Sequence, residues 1–412
     1  MQYMQECMKH RFFLLSVLAL LLLPFGAGAQ ELEYSVKGKV VDAISGRRLE
    51  SVTVSVTGKH YATVTNADGE FVIKSDAPIG TLKFTLLGYK PEKVSAGGSG
   101  DMVVKLRAES LTLEEALVIS GNPWNILREA IGKIQDNYPL EPELLDCFYR
   151  ETIRKRSRYI FISEAVASLY KTGYDRGANA DRAALQKSRV LLSQRKGDTL
   201  AVKMMGGPTQ ALLLDAVKNP DVFMNQESLR QYSLKMAPMT YIDGRPQLVI
   251  QMIPGGMSDY PLYSGMLYID RESMAFTRME LSLDMSDEGA ATRMVLYKKP
   301  AGLRFSPKEL NITLGYRSAG GKTRLSYFRS GFRFNCDWKK RLFSTQYTIV
   351  NELVVTDVKA KAVPIPKEKM FSSRDCLSNK AAEFSDPGFW QAYNIIEPTE
   401  SLEHAIGRLK KQ

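Results

Sequence analysis

Short stretches in which every second residue is apolar recur between residues 36 and 106, and this alternation constrains the fold more than any other feature. Valine occupies alternate positions of 52–56, and leucine or phenylalanine occupies alternate positions of 82–86. Turn-forming residues at 66–69 and at Gly88 separate these stretches. A period of two is that of a half-buried β-strand. Repeated short strands with no helix between them predict a small antiparallel β-sandwich over residues 34–107.

Motifs within this stretch are similar to those of one domain family. They are Gly38-Lys39-Val40-Val41-Asp42, Thr65-Asn66-Ala67-Asp68-Gly69-Glu70-Phe71 and Leu87-Gly88-Tyr89. The region resembles the carboxypeptidase regulatory-like (transthyretin-like) domain, which implies an accessory β-sandwich common at the N-terminus of Gram-negative outer-membrane proteins. Arg48 and Asn66 stand where the family usually has Pro and Asp. Asp68 can cap the turn through its own side chain. The resemblance is to an accessory domain and implies no peptidase activity.

The N-terminus has the three parts of a secretory signal peptide. Lys9 and Arg11 precede an apolar run at 12–23, and the small residues Ala27-Gly28-Ala29 follow it. This arrangement predicts a signal over residues 1–29, cleaved after Ala29. A retained membrane anchor is the alternative, although the run is short for crossing the hydrocarbon core. The sequence therefore predicts an exported protein, periplasmic or associated with the outer membrane, with no transmembrane segment once the signal is removed.

Residues 108–139 are predicted to be a linker followed by a helix. Asn122 is placed to cap the helix and Pro123 to occupy its first position. Thr399 caps a second predicted helix within residues 396–412, with acidic residues early and basic residues late, as the helix dipole favours.

Residues 140–395 are predicted to form a larger β-rich domain. A loop with a short helix around Asp181 to Lys187 is expected near its start, and antiparallel strands follow from Gln231, including one at 293–297. The pairs Asp243-Gly244 and Gly320-Gly321 mark tight hairpin turns. The region loosely resembles the half-barrel of periplasmic lipoprotein carriers and of related uncharacterised envelope domains. The fold class is thus mainly β: a sandwich followed by a larger, half-barrel-like sheet with a few helices.

The densest group of basic residues lies around one predicted hairpin. It consists of Arg150, Arg154, Lys155, Arg156 and Arg158. Such a group suits a phosphate-bearing lipid or an acidic partner surface, and these residues are the candidate binding site. A sheet edge protected from aggregation by charge is the alternative interpretation.

Several chemistries lack the residues they require. After the signal the chain contains only His60 and His404, neither followed by Glu three residues later, so a zinc carboxypeptidase site is excluded. The spacing of Cys147, Cys336 and Cys376 does not resemble a metal site. The three residues could form one disulfide and leave one free thiol, or all three could be buried thiols. We expect no metal, no cofactor and no catalytic residues. A pair of carboxylates acting as a hydrolase is the remaining enzymatic alternative, with Asp243, Asp270 and Asp284 as candidates.

The formal net charge of +11 is spread along the chain. For an exported protein the relevant anions are lipid headgroups and acidic glycans, and we expect no nucleic-acid partner. The leading hypothesis is a non-catalytic envelope protein that binds or scaffolds a partner protein, a glycan or a lipid. A periplasmic carrier of lipid or lipoprotein is the first alternative, which a Met-rich second region would suit. A continuous apolar groove would favour the carrier, and a filled core would count against it.

Overall fold

The computed structural model describes most of the chain after residue 33. The described residues are 34–97, 101–109, 121–198, 200, 202–204, 206–219, 224, 226–255, 258, 260–338, 344–372, 375, 377, 382–383, 390 and 393–411. The predicted signal peptide, the linker at 110–120 and Cys376 lie outside them. Among the described residues, no helix is long and apolar enough to cross a membrane.

Among the described residues, seven strands form the predicted N-terminal sandwich. They are β1 (Tyr34–Asp42), β2 (Thr53–Val56), β3 (Ala62–Val64), β4 (Glu70–Ser75), β5 (Thr81–Thr85), β6 (Glu92–Ser95) and β7 (Met102–Leu106). One sheet has the order β4-β1-β7 and the other β3-β2-β5-β6. Alternate residues of β2 and β5 point into a shared apolar core, where Val54, Leu82 and Phe84 are fully buried. The mainly β fold is therefore confirmed, with β-strand alternation as its physical basis.

The turn before β4 is held differently from the prediction. The Asn66 side-chain oxygen accepts hydrogen bonds from the backbone N–H groups of Asp68 and Glu70, both at 2.9 Å. Asp68 instead accepts a hydrogen bond from the N–H of Glu400, at 2.8 Å. Gly69 has a φ of +70°, and a Cβ there would lie 2.6 Å from the carbonyl oxygen of Val40. Glycine is required at 69 for both reasons.

The second region is one large sheet. Its strands are β8 (Glu143–Lys155), β9 (Arg158–Lys171), β10 (Arg182–Leu192), β12 (Tyr232–Ile242), β13 (Arg245–Pro254), β14 (Tyr263–Asp270), β15 (Phe276–Leu283), β17 (Leu303–Ala319), β18 (Lys322–Trp338), β19 (Thr345–Val358) and β20 (Ala382–Glu383). Their order is β12-β13-β14-β15-β17-β18-β19-β8-β9-β10-β20, and every pairing except β10 with β20 is antiparallel. Short strands β11 (Lys203–Met204) and β16 (Leu296–Lys298) pair separately.

The helices in the described part of the chain are few and short. They are α1 (Pro123–Gly132), α2 (Ile134–Asn137), α3 (Thr209–Leu213), α4 (Gln226–Leu229), α5 (Glu288–Val295) and α6 (Glu400–Lys410). The predicted caps are confirmed: Asn122 accepts from the N–H of Trp124, and Thr399 accepts from the N–H of Leu402. Positive φ values at Asp243, Gly244, Gly320 and Gly321 confirm the two predicted hairpin turns.

Two local predictions were wrong. Residues 182–192 form strand β10 rather than a loop with a helix, because they pair with β9 along their length and bury Ala183 and Val190. Residues 288–295 form helix α5, where a strand was expected from 293, because the Asp287 side chain caps the helix at the N–H of Ala290.

The large sheet has two covered faces. On β8, Cys147 and Tyr149 belong to the face packed against α1 and α3, which we call the inner face. Phe148 and Arg150 point to the opposite, outer face, where the sandwich and the C-terminal segment lie. A sheet covered on both sides explains why many of its strands contain consecutive buried residues.

Candidate functional site

The sandwich is fixed to the outer face of the large sheet by charged contacts. Lys83 on β5 donates to Asp243 at the β12–β13 turn, at 2.7 Å. Arg329 on β18 forms an ion pair with Glu50, at 2.8 Å. Because these contacts lie at separated points of the sheet, they define the orientation of the sandwich.

The C-terminal segment forms a second connection between the domains. The Thr63 hydroxyl donates to the carbonyl oxygen of Ile395 at 2.7 Å. The Asn394 side chain accepts from the backbone N–H of Lys74 at 2.6 Å and donates to its carbonyl oxygen at 3.0 Å. An apolar cluster joins sandwich, segment and sheet, and it consists of Val64, Phe148, Val166, Tyr327, Val354, Trp390, Ile395 and Ile396. The two domains are therefore packed together rather than merely linked.

Between the sandwich and the sheet lies a cavity of about 350 Å³, which we call the interdomain groove. Outward-facing residues of β2 and β5 form one wall, because they alternate with core residues: Thr53, Ser55, Lys83 and Thr85. The opposite wall belongs to the large sheet and includes Gln247, Thr277, Arg278, Arg317 and Ser326. This volume is in the range of small-ligand sites.

Most cations of the groove are neutralised within the protein. The ion pairs are Lys83–Asp243, Lys59–Asp76, Arg245–Asp270 and Arg278–Glu280, with N···O distances of 2.5 to 2.7 Å. Arg317 differs: its hydrogen bond runs to the backbone carbonyl oxygen of His60, at 3.3 Å. No acidic side chain of the described residues forms an ion pair with it.

The surroundings of Arg317 disfavour its charge. Burial lowers the pKa of this guanidinium, the nearby cation of Arg324 lowers it further, and Asp243 acts in the opposite direction. Arg324 itself is paired with Glu143 at 2.8 Å. Arg317 is thus a half-buried cation whose remaining N–H donors are available to a ligand.

The predicted basic hairpin is divided among several environments. Arg150 is only 6% exposed and forms an ion pair with Glu164 at 2.7 Å. Arg189 holds the other oxygen of the same carboxylate at 2.6 Å. Burial alone would raise the pKa of Glu164, but the two guanidinium groups outweigh it and lower that pKa. Arg150 therefore has a structural partner inside the protein.

The other four predicted residues lie around the hairpin turn. Lys155 and Arg158 share Asp198, at 3.3 Å and 2.7 Å. Arg154 lies over the ring of Tyr159, with its guanidinium carbon 5.7 Å from the ring centroid. Arg156 occupies the turn itself with a φ of 56°.

Two of these arginines border a second pocket of about 310 Å³ between the sandwich, the outer face and the start of α6. Arg150 and Arg154 line it together with Arg329, and the acidic residues Glu50 and Glu352 line it as well. Arg150 and Arg329 are paired with Glu164 and Glu50, and Arg154 lies over the ring of Tyr159. Arg150 and Arg154 remain candidate binding residues at this second pocket.

The inner face contains buried ion pairs. Lys171 donates to Asp215 at 2.6 Å, and the Tyr316 hydroxyl donates to the same carboxylate at 2.8 Å. Lys218 donates to Asp181 at 2.7 Å, and both side chains are fully buried. Buried, fully packed charges around the end of β9 and the segment after α3 count against an acyl chain in this part of the face.

The three carboxylates considered for hydrolysis have structural partners. Asp243 and Asp270 both line the groove, each within one of the ion pairs given above. Asp284 accepts hydrogen bonds from Ser286 in an exposed turn. Within the described part of the chain, no group of three or more His, Cys, Asp or Glu residues could hold a metal ion.

Both described cysteines, Cys147 and Cys336, are buried free thiols. Burial raises the pKa of Cys147 well above its usual range, and it raises the pKa of Cys336 to about 11. Raised pKa values make the thiolate scarce at neutral pH, so neither thiol has the character of a nucleophile.

The comparison with known proteins identifies the sandwich. Residues 36–118 match the family model of the CarboxypepD_reg-like domain. The sandwich is a domain of this family. The chain is also 31% identical over 111 residues to TonB-dependent receptor P3 of Formosa agariphila, covering 27% of this chain. The match spans only 11% of the receptor's length.

The chain is also similar to solved structures, at low sequence identity and low TM-score. A putative outer membrane lipoprotein-sorting protein domain from Vibrio parahaemolyticus is 10% identical, with 60% of this chain and 96% of that chain covered and a TM-score of 0.26. A LolA superfamily protein from Nitrosomonas europaea is 11% identical, with the same coverages and a TM-score of 0.22. Similarities this weak carry no inference about ligands.

The groove and Arg317 were not among the sequence predictions. The hydroxyl-rich outer positions of β2 and β5 were a signal, since the faces of the two strands alternate between apolar and polar residues. The opposite wall comes from residues 242–327, and its proximity depends on how the domains pack. No local pattern encodes that packing.

Proposed function

We propose that this protein is a non-catalytic binding module of the cell envelope whose ligand occupies the interdomain groove. The observation that carries the proposal is the half-buried Arg317, which faces the groove without an acidic partner among the described residues. Burying a charge is unfavourable unless it is paired, so a cation in this position favours an external anionic or polar ligand. Export by the signal at residues 1–29, to the periplasm or the outer membrane, is part of the proposal.

A binding role agrees with the state of the groove's carboxylates. Asp243 and Asp270 are each held by a cation, whereas hydrolysis of a glycoside needs one carboxyl group free to donate a proton and another free to attack or to activate water. This pairing supports a role for both residues in shaping the groove. The two buried thiols likewise count against a cysteine nucleophile among the described residues.

The proposal is tested by native mass spectrometry of the mature protein purified from the envelope fraction of its own host. Ser55→Trp fills the groove from the β2 wall. Val103→Trp is the matched control, because Val103 is 62% exposed on β7 and does not line the groove. Circular dichroism and thermal melting confirm that both variants fold.

We expect the wild type and Val103→Trp to carry an added mass that is lost on denaturation, and Ser55→Trp to lack it. A ligand retained by Ser55→Trp would place binding elsewhere. A wild-type protein with only the polypeptide mass would also contradict the proposal. An added mass of lipid size that survives in Ser55→Trp would favour the carrier alternative.

A further inference from the structure

We infer that the ligand of the interdomain groove is an anionic oligosaccharide whose carboxylate or sulfate group binds Arg317. This inference rests on the proposed function and names the ligand class of the same site. It follows from the cation of Arg317 in the groove wall, the hydroxyl groups along the opposite wall and the character of both surfaces.

Arg317 is positioned by the sheet to meet an anion. It lies on β17 opposite Arg324 of β18, and Arg324 is already bound to Glu143 by two contacts of 2.8 Å and 2.9 Å. Arg317 contacts the carbonyl oxygen of His60 at 3.3 Å, which leaves most of its five N–H donors for a ligand. A planar guanidinium binds carboxylate or sulfate through two parallel hydrogen bonds, and such charge-assisted bonds are stronger than neutral ones.

Lys93 adds a second cation on the sandwich side. It is exposed on β6, lines the groove and has no acidic partner among the described residues. The paired cations of the groove contribute little net charge, so Arg317 and Lys93 determine the sign of its field. Opposite walls thus both present positive charge to a ligand lying between them.

The sandwich wall is suited to sugar hydroxyl groups. Thr53, Ser55, Thr57 and Thr85 line the groove, and no other described residue forms a hydrogen bond with their hydroxyl groups. Hydroxyl groups both donate and accept, as those of a saccharide do, so the two sets can exchange hydrogen bonds in either direction. The side chains of β2 and β5 repeat along the strands, which suits a linear ligand.

The groove is less suited to a protein segment or an acyl chain. Cores of protein interfaces are depleted in charged residues and enriched in aromatic ones, whereas most residues that line the groove are charged or carry a hydroxyl group. An acyl chain would leave the charge of Arg317 buried without a partner. A saccharide with acidic groups satisfies both the cation and the hydroxyl groups.

The test is isothermal titration of the mature protein with a sulfated oligosaccharide and with its chemically desulfated form of equal length. Arg317→Gln removes the proposed contact and Arg317→Lys retains the charge without the planar group. Arg304→Gln is the matched control, because Arg304 is an exposed arginine on the same strand outside the groove. Vesicles containing an anionic phospholipid form a separate arm.

We expect the sulfated form to bind and the desulfated form to bind at least roughly tenfold more weakly. Arg317→Gln should weaken the affinity for the sulfated form roughly tenfold or more, and Arg317→Lys should weaken it less. Arg304→Gln should leave this affinity unchanged. Added salt should weaken binding of the sulfated form. Unchanged thermal melting in Arg317→Gln would assign the loss to the contact rather than to folding.

Equal binding of both forms, with no effect of Arg317→Gln, would overturn the anionic inference while leaving the proposed function intact. Failure of every saccharide, together with an added mass in native spectrometry that Ser55→Trp removes, would overturn the ligand class only. Binding of the vesicles alone would assign the anion to a lipid headgroup and would also overturn the inference.

Discussion

The sandwich and the large sheet bury different kinds of core. Among the described residues the sandwich buries no ion pair, and its apolar cluster consists of Val40, Leu49, Val52, Val54, Val56, Phe71, Ile73, Leu82, Phe84, Val104 and Leu106. The inner face of the large sheet adds the buried ion pairs Lys171–Asp215 and Lys218–Asp181 to its apolar residues. Both ion pairs connect the segment after α3 to the end of β9 and the connection that leads into β10.

The two kinds of core act differently on the fold: apolar burial mainly adds stability, whereas buried ion pairs mainly fix the position of a segment. An apolar core stabilises a fold roughly in proportion to the area it buries, without favouring one arrangement of a covering segment. A buried ion pair contributes little net stability but is strongly unfavourable when one partner is removed. The ion pairs of the inner face therefore fix where the segment at 209–218 lies.

The largest expected effect concerns Asp215. Asp215→Ala leaves the buried Lys171 ammonium and two tyrosine hydroxyls without their acceptor, so we expect a loss of about 3–5 kcal/mol in the free energy of unfolding. Urea denaturation measures it. Asp284→Ala, at an exposed turn, is the control and should change little. An effect of Asp215→Ala no larger than the control would remove the distinction between the two cores.

The contribution of Glu164, on the outer face, to the free energy of unfolding should depend on pH. Its pKa is lowered in the folded protein, so its contribution is present above the usual value of 4.5 and is lost as the pH falls through the folded-state pKa. We expect Glu164→Gln to reduce stability by about 2 kcal/mol at neutral pH. The deficit should shrink in acid. A deficit independent of pH would contradict the ionic account.

Glu151 on the inner face is the matched control, since burial raises the pKa of its carboxyl group. A raised pKa means that the ionised form destabilises the folded state above the usual value, and that stability rises as the pH falls. Glu151→Gln should therefore leave stability unchanged or increase it at neutral pH. Denaturation at neutral and acidic pH compares the two variants directly.

Ile73→Val tests whether a loss of stability in the sandwich core is independent of pH. Ile73 is fully buried in an apolar core, so removing one methylene group should reduce stability by about 1 kcal/mol at any pH. Urea denaturation at neutral and acidic pH measures this. A strong pH dependence of this loss would show that titrating groups contribute to the sandwich core.

The smallest expected effect on stability is that of Arg317→Gln. Since Arg317 has no acidic partner among the described residues, its removal should change the free energy of unfolding by less than about 0.5 kcal/mol, or increase it. Thermal melting measures this change. A clear loss of stability would indicate that Arg317 has a structural rather than a binding role.

The sequence predicted the sandwich well and the large sheet in part. The sandwich strands have one buried face each, so residues such as Val54 and Phe84 reveal them by alternation. Strand β10 buries few apolar residues and takes its conformation from pairing with β9. The prediction of a loop and helix around Asp181 to Lys187 used local sequence alone, so it could not include this pairing. The capping residue Asp287 was a local signal for α5 that the prediction overlooked.

The candidate site was the least predictable part. The basic hairpin is dense in sequence, but alternation of side chains along β8 sends neighbouring residues to opposite faces, and Arg150 and Lys155 find different acidic partners. Arg317 has no distinguishing sequence context. Its significance arises from the packing of the sandwich, in particular from contacts such as Lys83 with Asp243.

Hydrogen–deuterium exchange of the mature protein, with and without the ligand identified in the envelope fraction, tests most directly whether both domains build the site. We predict simultaneous protection of residues 51–59 on the sandwich and 315–327 on the large sheet, since these segments form opposite walls of the groove. Ser55→Trp should abolish the ligand-induced protection of both segments. Protection restricted to the inner-face segment 209–218, or to the hairpin at 150–158, would contradict the interdomain groove as the binding site.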